Sequence, residues 1–104
     1  MKNVKLIRLL TGEEILADVI SESDEILRIN NPIRVMLMPG KQGNAAPTVG
    51  FAPWMEFSED TEFSLDKSHV LVMMNPIAEF VTQYNKAFSG LVLPENEGKL
   101  ILPS

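Results

Sequence analysis

The chain has 104 residues, 45% hydrophobic and 22% charged, with a formal charge of −5, a pI of about 4.8 and no cysteine. That length suits one domain able to bury a core of its own, and the composition excludes wholesale disorder, a disulfide framework, thiolate zinc sites and a cysteine nucleophile. Fourteen acids against nine bases disfavour a nucleic-acid partner, whose binding draws on counterion release by Lys and Arg.

Lys2, Lys5 and Arg8 break up the apolar N-terminus where a secretion signal would lie. No apolar run approaches the ~20 residues of a membrane helix, so a cytoplasmic protein with no membrane partner is expected. Val4 to Leu10 (VKLIRLL) then reads as a strand, closed by a tight turn at Thr11-Gly12-Glu13, where Gly12 takes a positive φ without steric cost. Glu14 to Ser21 (EILADVIS) alternates, with Ile15, Ala17 and Val19 on one face and Leu16, Asp18 and Ile20 on the other. After a polar turn, Glu25 to Met38 (EILRINNPIRVMLM) forms a longer strand that bends or bulges at Asn31-Pro32, since Pro32 donates nothing to a ladder.

Pro39 to Val49 (PGKQGNAAPTV) is a loop. Gly50 to Phe57 (GFAPWMEF) is an aromatic-rich strand, and Val70 to Met74 (VLVMM), apolar throughout, reads as a strand covered on both faces. A helix follows, with Asn75 as N-cap, Pro76 in the first turn and Gly90 as the stop. Its apolar stripe is Ile77, Phe80, Val81, Tyr84 and Phe88. From Leu91 the alternation is weak, and Pro94 and Pro103 limit any strand.

Few residues carry chemistry. Asp60, Glu62, Ser64 and Asp66 recur at the spacing of calcium-loop ligands, but Leu65 stands where that loop needs Gly and Leu71 where it needs Glu. Spacing two is the strand period, so the reading is a solvated acidic face with Phe63 and Leu65 turned inward. His69 is the one histidine and Ser68 its neighbour, a poor nucleophile–base pair. Phe51, Trp54 and Phe57 have the rings to stack nucleobases, yet residues 49–62 hold no Lys or Arg, which favours core or subunit packing. No metal, cofactor or catalytic residue is expected.

The opening LIRLLTGEEILADVIS, with Leu9, Gly12, Ile15, Ala17 and Val19 in matching places and Asp24 near an acidic position, resembles the first motif of an Sm-like (LSm) protein, and SHVLVMM resembles the end of the second. The resemblance covers residues 4–75 in layout and is close over the first 30. It implies a single, mainly β domain: a small, strongly bent, five-stranded antiparallel Sm-like (SH3-like) barrel over about 4–75, a C-terminal α-helix over about 76–89 and a tail over 90–104. Most Sm-like proteins carry their helix first; the layout found here resembles divergent forms encoded by tailed phages, including cyanophages, in which case the site of action is the host cytoplasm.

The resemblance also implies a homo-oligomeric ring in which each subunit's last strand pairs with the fourth strand of the next, a heterologous contact that closes. Phe51, Trp54, Val70, Val72 and Met74 are the expected interface residues. By the same analogy RNA would meet Asp24, Glu25, Asp66 and Lys67. Glu25 and Ile26, however, stand where RNA-binding members have Asn, and Asp66-Lys67 stands in place of their Arg-Gly or Lys-Gly step. The function expected is therefore a non-catalytic, ring-forming assembly module. The alternatives are an RNA-binding ring acting as a chaperone or processing factor, a small enzyme, and a monomeric SH3-like or OB-like barrel.

Overall fold

The computed structural model describes residues 2–40, 46–88 and 100–101. In chain order these form β1 (Val4–Leu9), β2 (Glu14–Glu22), β3 (Ile26–Met38), β4 (Thr48–Pro53), β5 (Glu62–Asp66), a single 3-10 turn (Lys67–His69), β6 (Val70–Met74), helix α1 (Ala78–Ala87) and β7 (Leu100–Ile101). All the pairings are antiparallel and run in the order β6-β1-β2-β3-β4-β7, with β5 also on β3.

The β1–β2 hairpin turns where expected. Gly12 has φ +94 and its N–H donates to Leu9 O at 2.9 Å, a conformation in which a Cβ is strained. The bend in the sheet originates at Asn31-Pro32. Leu16 pairs with Ile33 and Asp18 with Asn30, so Ala17 alone opposes two residues of β3. Asn31 takes φ +50, which Asn tolerates better than most side chains. This bulge redirects β3: its first half, Ile26 to Asn30, pairs with β5, and its second, Ile33 to Met38, with β4. One bent strand thereby holds two partners and rolls the sheet into a barrel-like form.

Both faces of β2 are covered. Ile15, Ala17 and Val19 join Ile7, Leu9, Leu27 and Ile29 inside the barrel, with Trp54, Phe63, Leu65, Val70 and Met73 packed against them. Leu16 belongs to a second cluster on the opposite face, with Val4, Ile33, Phe51 and Tyr84, closed by Phe80 and Phe88. Helix α1 is therefore the lid of the sheet's outer face, as its apolar stripe requires.

Several expectations are corrected. The helix begins at Ala78 with Ile77 as N-cap and no side-chain cap; Asn75 instead accepts a 2.5 Å hydrogen bond from Lys5 Nζ, and Ile77 is exposed. Gly90 lies outside the described residues. The fourth strand starts at Thr48 and ends at Pro53, the proline that cannot extend the ladder. Phe57 falls beyond it in a turn and is 99% exposed. The acidic segment is, as expected, a strand, Glu62–Asp66, with its acids solvated and Phe63 and Leu65 inward. The tail contributes a short strand where weak alternation and two prolines argue against one. VLVMM is not covered on both faces: Leu71 is 60% and Val72 41% exposed.

Candidate functional site

Two connections meet at one end of the barrel: the β2–β3 turn and the 3-10 turn between β5 and β6. Ser23 closes the first, its Oγ accepting from Ile26 N at 3.1 Å. Asp66 caps the second; its Oδ1 accepts from Ser68 N at 2.9 Å and from Ser68 Oγ at 2.8 Å. Those two bonds from Ser68, with a smaller contribution from His69, hold the Asp66 carboxyl below its ordinary value. Ser68 is thus tied to Asp66 rather than paired with His69.

Lys67 joins the two turns. Its backbone N–H donates to Glu25 O at 2.8 Å, and its Nζ donates to Glu22 Oε2 at 2.7 Å and Ser23 O at 3.0 Å. Asp24, Glu25, Asp66 and Lys67 therefore lie on two joined turns, and the one cation among them already faces a carboxylate and a carbonyl. Arg28, beside them on β3, pairs with Glu62. The surface made by Glu22, Asp24, Glu25, Glu62 and Asp66 against Arg28 and Lys67 is acidic, and each base has an acid on it. The Lys67–Glu22 contact was not legible in the sequence, because 45 positions separate the two residues and only the β3–β5 register brings them together. The period-two acids do not converge on a cation: Glu62 is taken by Arg28 and Asp66 by Ser68. Among the described residues no group of three or more His, Cys, Asp or Glu is arranged to hold a metal ion.

A shallow groove of about 410 Å³ lies on the outer face beside α1. Val35, Leu37, Val49 and Phe80 line it, with Arg8 and Arg34 at its rim. Arg8 meets Glu14 at 2.6 Å and Arg34 meets Glu13 at 3.8 Å, so the rim carries balanced charge.

The other feature is the sheet edge at β6. One side of β6 pairs with β1, from Leu6↔Met74 to Leu9↔Val70. Among the described residues the other side has no partner strand. A register shift between Arg8 and Leu9 leaves Leu71 as the extra residue, and this bulge turns Leu71 out to solvent beside Val72. Leu71 is the residue that sequence reasoning missed; an unbroken apolar run carries no sign of which member a bulge will expel. Of the expected interface residues, Val72 is exposed, Val70 and Met74 are half-buried, and Trp54 packs edge-on to Phe63 at 6.0 Å. Phe51 is corrected: at 2% exposure its ring belongs to the core, edge-on to Phe80 at 5.1 Å, and is not free to meet a partner.

No described helix is long and apolar enough to cross a membrane. A family profile described as Sm_like domain matches residues 6–85. No curated protein matches the chain.

Proposed function

We propose that this chain, which belongs to the Sm-like family, works as a non-catalytic assembly module that closes into a homo-oligomeric ring through the edge of β6 that has no partner strand among the described residues. Sm-like domains typically oligomerise and often bind RNA. The observation that carries the reading is the β6 edge: a row of backbone donors and acceptors flanked by exposed Leu71 and Val72. Such an edge invites strand addition unless a dedicated partner covers it. The other exposed surface at the barrel end is acidic and internally paired, which supports assembly over RNA as the first role. The helix at the C-terminal end supports the narrower likeness to divergent phage-encoded forms.

Acidic substitutions at the edge test this. A carboxylate at position 71 or 72 costs the free subunit little, because both side chains are solvated there. Inside a closed interface an unpaired carboxylate costs several kcal/mol or is forced to protonate. Leu71→Asp is the sharper variant, since Val72 sits directly opposite Arg8 and an Asp at 72 has a cation within reach. The expected outcome is a folded chain of reduced native mass for both variants. An assembly of unchanged mass and stability would show that β6 is not the contact.

A further inference from the structure

The sheet path ends on two edges of different kinds. At one end β6 is unpartnered among the described residues. At the other, the ladder continues one strand past β4: β7 pairs with it through Gly50↔Ile101 and Phe51↔Leu100. The resemblance sets β4, the fourth strand, as the acceptor for a neighbouring subunit's last strand. In this subunit that edge is held by the chain's own tail.

We propose that the C-terminal strand is a placeholder on the β4 edge, displaced by strand β6 of a second copy of the chain when the ring closes. The inference rests on the ring reading and adds how the acceptor edge is kept before assembly. The two occupants exclude each other, because each outward N–H and C=O of β4 reaches one strand only. They are also unequal. β7 matches two of the six residues of β4, leaving Thr48, Val49, Ala52 and Pro53 without a register partner in it. β6 offers five residues, and covering its edge also removes Leu71 and Val72 from water. The tail holds one advantage, that of being tethered, so it competes at an effective concentration fixed by its connection to α1. The outcome is a switch in subunit concentration: dilute subunits keep the β4 edge shielded from indiscriminate strand addition, and concentrated ones exchange the short strand for the longer one. β5 is also open on its outer side among the described residues, but its exposed row of Glu62, Ser64 and Asp66 is acidic, which makes it a poorer acceptor for the apolar β6.

The test compares the full chain with a variant ending at Lys99 and with a full-length double variant, Leu100→Pro plus Ile101→Pro, whose strand can donate to no ladder. Sedimentation velocity over a dilution series gives the concentration of half-assembly for each. Both variants should assemble at a lower concentration than the full chain, by roughly the reciprocal of the fraction of full chains whose β4 edge is open. Equal or higher half-assembly concentrations in the two variants would overturn the placeholder while leaving the ring standing. Chains that stay monomeric in all three forms would overturn the ring reading, and the placeholder with it.

Discussion

Tyr84 is the chain's single tyrosine, and its hydroxyl closes the bulge on which the sheet bends. It accepts from Asp18 N at 3.1 Å and donates towards the carbonyls of Asn30 at 2.9 Å and Asn31 at 3.0 Å. The bulge strips those backbone groups of regular ladder partners, and a fully buried side chain replaces them. Tyr84→Phe keeps the ring and orphans these groups, so it should cost ~1–3 kcal/mol, read as a lower denaturant midpoint. Burial, with the Asp18 charge assisting, pushes the phenol far above its usual 10.0. The neutral form is what the fold favours, so this contribution is complete below pH 10 and is lost as pH rises beyond it. Tyrosinate absorbance should therefore appear together with unfolding. A folded protein that ionises Tyr84 near pH 10 would contradict the placement.

Helix α1 is fastened at three points: Tyr84 in the bulge, Phe80 against Phe51, and Lys2 Nζ donating to Phe88 O at 2.7 Å, where a cation also suits the helix's C-terminal dipole. Phe80→Ala should then cost towards the lower end of the ~3–5 kcal/mol seen for buried Phe, because Phe80 is only half-buried. Ile77→Ala, at an exposed cap, should stay within about 0.5 kcal/mol. Chemical denaturation of the pair checks this, and equal losses would mean that the stripe is rotated.

How far such elements can be read from sequence follows from how local their causes are. The Gly12 turn, the two faces of β2, the Asn31-Pro32 bulge and the Tyr84 stripe rest on neighbouring residues and were legible. The helix start was misplaced by two residues, because Asn75 answers Lys5, 70 positions away. Leu71, Lys67 on Glu22, and β7 on β4 all depend on register between distant strands, which composition does not encode.

At the scale of the whole molecule, a ring would repeat the acidic barrel end in every subunit. Residues 21–25 and 64–68 hold four acids, one base and no aromatic ring, and the base, Lys67, already faces Glu22. Salt screens such a surface only partly over a Debye length of ~8 Å, and the stacking that normally adds ~1–3 kcal/mol per base has nothing to stack on. Oligo-U and oligo-A should therefore bind no tighter than roughly 10 μM at physiological salt. A submicromolar, salt-sensitive constant from fluorescence anisotropy would instead make RNA the partner.

Native mass addresses the assembly itself. With a chain of 11.6 kDa, closure through β6 predicts a discrete species of about five to seven subunits, roughly 58 to 81 kDa, because a heterologous contact is satisfied everywhere only when it closes. Multi-angle light scattering across a concentration series measures it directly. A single plateau in that range, lost in Leu71→Asp, is the predicted result; a stable monomer at micromolar concentration and above would contradict it.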